Sequence, residues 1–157
     1  MMTIENETAV SGRRPLPPPL TDEAEIERLV RDFYGHVRAD EMLGPIFARV
    51  IGEDWEPHLQ KMFAFWSSVM LMSGRYKGAP MVAHMRLKQV RPDHFDRWLV
   101  LFEAATRRNC TPETAAAFLE KARRIADSLK LGMFFNPAAS VQAAKKAAKK
   151  AAKKEGD

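Results

Sequence analysis

Apolar residues return at helical spacing along most of the chain. Ile26, Leu29, Val30, Phe33, Tyr34 and Val37 recur every three or four positions, an amphipathic helix with one apolar stripe. Thr21 reads as its N-cap, ahead of the acidic first turn Asp22, Glu23 and Glu25. Gly44-Pro45 leaves room for only a short turn of helix before Phe47. Asp54 reads as the next N-cap, with Pro57 in the first turn, where a missing N–H costs nothing. Trp55, His58, Leu59, Met62, Trp66, Val69 and Met70 then share a stripe that Phe63 and Phe65 widen. Gly74, Gly78 and Pro80 interrupt the pattern, leaving at most a short helical piece over Met81–Met85. Pro92-Asp93 opens a helix whose stripe is Phe95, Trp98, Leu99, Phe102 and Ala105. Thr111-Pro112-Glu113 opens the last one, with Phe118, Ala122, Ala126 and Leu129 inward and Gly132 placed to end it. No run alternates in the manner of a strand. The pattern predicts an all-α fold.

Charge alters the picture less than its total suggests. The 157 residues carry a formal +5, which on its face points to nucleic acid or a membrane surface. Residues 141–157 hold six lysines against Glu155 and Asp157, a surplus of four, and residues 1–20 are balanced. The body is therefore almost neutral. These shifts divide the chain into a disordered proline-rich leader (1–20), a helical domain (21–136) and an Ala/Lys-rich basic tail (137–157), also disordered. Pro15 to Leu20 reads as a stiff polyproline II stretch, and it stands where the apolar part of a twin-arginine signal would follow Arg13-Arg14. The longest apolar run, Met62 to Met72, is too short to span a bilayer, so no membrane role is expected. A single cysteine, Cys110, forms no internal disulfide and fits a cytoplasmic location.

Candidate chemistry lies on the inward faces. His58 sits on its helix's apolar stripe, Tyr34 on that of the first helix, and Trp98 on that of the helix after Pro92. Buried polar groups need partners, either one another or a ligand. Neither a zinc spacing, a nucleophile elbow nor a phosphate-binding glycine loop is present. Haem iron is different, because one histidine suffices to hold it. His84 and His94, which both flank the start of the Pro92 helix, are equal candidates on spacing alone. His36 falls off its stripe and reads as a surface residue.

Several ordered segments carry a resemblance. They are Asp32-Phe33-Tyr34, Leu43-Gly44-Pro45-Ile46-Phe47, Trp55-Glu56-Pro57-His58, Phe65-Trp66, Tyr76-Lys77-Gly78-Ala79-Pro80, His84, and His94-Phe95-Asp96-Arg97-Trp98-Leu99. Together they make residues 25–133 similar to the truncated haemoglobins of the third group. Members of the first two groups carry paired glycines, whereas no two glycines adjoin here. The resemblance implies a small globin in which two helix pairs sandwich haem b (iron protoporphyrin IX), with His84 on the iron. It implies distal donors at Tyr34, His58 and Trp98, an apolar lining of Phe33, Phe47, Met62 and Phe65, and a structural or propionate-side role for His94. His58, near a helix N-terminus, is expected to stay neutral at pH 7.

The implied function is binding, or transport, of oxygen, nitric oxide or another diatomic ligand at a five-coordinate iron. The same pocket suits an enzyme that converts nitric oxide to nitrate or reduces peroxide. Either turnover needs an external reductase, since no flavin or nicotinamide module is present. A reading of another class is a haem-free helical domain that contacts polyanions weakly through residues 141–157.

Overall fold

The computed structural model describes residues 17–135, apart from 86 and 88. Most of the proline-rich leader and the basic tail expected from the sequence lie outside these residues. Six helices are present among them, and no strand: α1 (Glu23–Ala39), α2 (Gly44–Ile51), α3 (Glu56–Leu71), α4 (Pro80–Met85), α5 (Pro92–Asn109) and α6 (Pro112–Phe134). The helices α1 and α3 pack as one pair and α5 and α6 as another, with α1 lying against α5. This is the two-over-two sandwich that the resemblance implies. Its centre is aromatic: Trp66 stacks on Phe102 with ring centroids 4.9 Å apart, and Phe33 and Phe118 are fully buried beside them. Among the described residues no helix is long and apolar enough to cross a membrane.

Four helix ends differ from the sequence expectation, each for a local reason. At α1 the cap is Asp22, whose carboxylate accepts the Glu25 N–H at 2.8 Å. Thr21 turns inward and donates to the Glu25 carboxylate at 2.7 Å instead. The helix α2 runs on past Phe47 to Ile51, because Pro45 sits in its first turn, where no N–H is required. Asp54 does not cap α3. Buried Trp55 begins that helix by packing, stacked near Phe47 at 6.1 Å and covered by the Arg38 guanidinium at 4.9 Å. Finally, α6 passes through Gly132 to Phe134, and the glycine serves another purpose. A Cβ there would fall 2.5 Å from the Met81 sulfur, so Gly132 is the seat on which α4 rests.

The unusually broad apolar surface of α3 also finds its explanation. Phe63, Trp66 and Ser67 face the core, whereas His58, Met62 and Phe65 face a cavity. A helix with apolar ground on two sides cannot show a single narrow stripe.

Candidate functional site

A cavity of about 540 Å³ opens between the helix pairs, within the range that holds a small organic molecule or cofactor. One wall comes from α1, α2 and α3 through Tyr34, Phe47, His58, Met62 and Phe65. The opposite wall comes from α4, α5 and α6 through His84, Phe95, Trp98 and Leu129. The structure thus brings Tyr34, His58, Trp98, His84, Phe47, Met62 and Phe65 to one space. Phe33 is the exception. It lies behind the wall at 1% exposure, edge-on to Tyr34, Trp98 and Phe102 at 4.8, 5.3 and 5.2 Å. It supports the polar groups and does not line the space, because the α1 residue following it already occupies the wall.

The two histidines left equal by spacing differ in the atoms they offer. His84 Nδ1 lies 2.7 Å from the Pro80 carbonyl oxygen. A carbonyl only accepts, so Nδ1 carries the proton and the Nε2 lone pair is free. This bond follows from α4 itself, where one helical turn sets the ring beside the carbonyl four residues earlier. His94 is the reverse: its Nδ1 accepts the Arg91 N–H at 2.9 Å, capping the start of α5. In the neutral ring the proton then sits on Nε2, leaving no lone pair for a metal. His36 is exposed, with Nδ1 at 2.9 Å from the Asp32 carbonyl, and has no place on the cavity.

Tyr34, His58 and Trp98 bring polar atoms to the cavity from both walls, and one of those atoms lacks a partner. Among the described residues, His58 Nε2 is buried and bonds to nothing. The ring stands edge-on to Tyr34 with centroids 5.0 Å apart. Burial, with Lys61 and His84 adding repulsion, lowers the His58 pKa to about 4. Its neutrality thus arises chiefly from desolvation. Burial also holds the Tyr34 phenol protonated by raising its pKa far above the ordinary range, while the Trp98 indole works against that shift as a donor toward the phenol oxygen. Trp98 itself is sandwiched, stacked parallel to Phe102 at 5.2 Å and met edge-on by Phe33.

Sequence reasoning missed Tyr76, which reaches the wall from the α3–α4 connection. Its N–H is held by Ser68 Oγ at 2.9 Å and its ring stands edge-on to Phe65 at 5.2 Å. Gly78 makes this fold-back feasible, since a Cβ there would strike the phenol ring. The Tyr76…Gly78 spacing was the available signal. Leu129 and Ala126 were legible as apolar positions of α6, but their stripe did not reveal that it reaches beyond the core.

Comparison with known proteins agrees with this geometry. The bacterial-like globin family matches residues 20–130. A group 3 truncated haemoglobin of Campylobacter jejuni is 35% identical over 108 residues, covering 67% of this chain and 85% of the relative. The crystal structure of a group III truncated haemoglobin from Campylobacter jejuni superposes with a TM-score of 0.71 and 30% identity. That match covers 76% of this chain and 96% of the other. The chain therefore belongs to the bacterial-like globins, as a truncated haemoglobin of group III, and membership of that family implies a haem cofactor.

Proposed function

We propose that this globin holds haem b through His84 Nε2 and binds a diatomic ligand, such as oxygen or nitric oxide, beneath Tyr34, His58 and Trp98. Bound haem supplies an iron atom with one coordination position open to a small gas. The residues present suit such a group. The cavity between the helix pairs is mainly apolar, and a histidine lone pair on one wall faces an unpartnered histidine nitrogen on the other. The observation that carries the proposal is the Pro80–His84 hydrogen bond. It orients the ring, fixes the proton on Nδ1 and raises the basicity of Nε2, as a second partner does for metal-bound histidines generally.

The distal residues supply polarity in a dry space. A diatomic ligand that gains negative charge on binding is stabilised by preorganised donors that pay no reorganisation cost. The Tyr34 hydroxyl and the Trp98 indole N–H are such donors, and burial keeps the phenol proton in place. His58, neutral and without a bonding partner among the described residues, adds a third polar group without bringing a cation into the pocket.

Oxygen release measured by stopped flow tests this. Tyr34→Phe and Trp98→Phe should each accelerate release about tenfold, the effect of losing one hydrogen bond to a partly charged acceptor. Release unchanged in both variants would refute the distal assignment.

A further inference from the structure

Behind the distal wall lies a carboxylate with more bonds than a surface residue needs. Asp40 follows the last residue of α1, and its side chain is only 6% exposed. Its Oδ2 accepts the N–H groups of Met42 and Leu43 at 3.2 and 2.9 Å, organising the turn that opens α2. Its carbonyl accepts the Gly44 N–H at 2.9 Å. Its Oδ1 receives both Nε and an Nη of Arg97, at 2.9 and 2.7 Å. One carboxylate thus joins the end of α1, the start of α2 and the first half of α5.

Those three elements carry Tyr34, Phe47 and Trp98. Arg97 adjoins Trp98, so the residue that anchors α5 to Asp40 precedes the donor directly. The flat contact with Phe102, itself on α5, and the edge-on contact with Phe33 of α1 fix the plane of the indole but do not hold it along the α5 axis, since apolar surfaces lack directional bonds. The Arg97 pair supplies the missing restraint along α5. A second anchor, Arg108 and Asn109 on Asp32 at 2.9 and 2.8 Å, ties α5 to α1 at the far end of the contact. Burial and the number of donors distinguish Asp40 from an ordinary surface pair, which contributes little.

We infer that the Asp40–Arg97 pair is a positioning device for the distal pocket, setting where the Trp98 N–H stands relative to Tyr34 and the bound ligand. This rests on the distal reading given above. Asp40 and Arg97 touch no ligand and act through Trp98.

The test compares Arg97→Met, Arg97→Lys and, as a control at the second anchor, Arg108→Met. One readout is independent of haem: the Trp98 indole N–H resonance of the haem-free protein. The others are the C–O stretching band of the carbon monoxide complex and the rate of oxygen release. Arg97→Met should shift the resonance and the band and speed release about fivefold, the effect of misplacing one neutral hydrogen bond. Arg97→Lys should stay near wild type, and Arg108→Met should alter none of the three. In a Trp98→Phe background, Arg97→Met should add nothing to release. An unmoved indole resonance in Arg97→Met, or a full additive effect in the Trp98→Phe background, would overturn the inference. If Arg97→Met moves the resonance while Trp98→Phe leaves release unchanged, the positioning role stands and the donor role of Trp98 fails.

Discussion

Two histidines line the cavity with opposite hydrogen-bond polarity, His84 donating from Nδ1 and His94 accepting there. That difference decides which ring has a lone pair to give, and it is set by backbone atoms of Pro80 and Arg91. Sequence spacing carries no information about a carbonyl that becomes available only once a short helix has formed, which is why the two remained equal on spacing. Tyr34, His58 and Trp98 were legible because a polar group on an apolar stripe stands out. Phe33 was misplaced because one stripe position cannot distinguish the cavity wall from the layer behind it. At His58, burial sets a testable pH dependence. Its pKa falls from an ordinary 6.5 to about 4 in the folded protein. The unfolded chain therefore binds the proton first, and the contribution to stability is complete above about 6.5 and lost as pH falls toward about 4. Denaturation of the haem-free protein between pH 7 and 4 should show this loss, and His58→Leu should make it shallower. An identical slope in the variant would mean that His58 is solvated. Glu56, held by Arg31 and Gln60 down to about 2, acts in a lower window.

Among the elements, the long helices were readable from their stripes and the short ones were not. The helix α2 looked like a single turn because Gly44-Pro45 reads as a breaker, yet the glycine is required by contact. A Cβ on Gly44 would lie 2.7 Å from the Arg38 carbonyl oxygen, a backbone atom that cannot swing aside. Gly35, on the exposed side of α1, would meet nothing within 4 Å. The two glycines should therefore respond with opposite signs. Gly44→Ala should destabilise by about 1–3 kcal/mol, as overpacking does. Gly35→Ala should stabilise by about 0.5–1 kcal/mol through helix propensity. Thermal unfolding of both variants checks this, and a Gly44→Ala protein as stable as wild type would show that α2 can shift away from α1. The helix α4 was faint in sequence for a related reason. Six residues carry too little periodicity to recognise, and its placement depends on Met81 resting upon Gly132 of α6.

At the scale of the whole molecule, two apolar helix pairs hold a cavity between them, and a nearly neutral body carries it. The formal +5 resides mostly in residues 141–157, which lie outside the described residues. Family and fold were legible because many ordered segments matched at once, whereas the cavity's polarity emerged only when helices distant in sequence were brought together. The central claim is that His84 Nε2 is the protein's bond to haem. It is tested most directly by titrating haemin into the haem-free protein and recording the reduced spectrum of wild type, His84→Gly, and His84→Gly supplied with imidazole. The account predicts a sharp Soret band with a single-histidine ferrous spectrum in wild type, its loss in His84→Gly, and its return with imidazole. A wild-type spectrum retained in His84→Gly without imidazole would contradict it, and so would a wild-type protein that takes up no haemin.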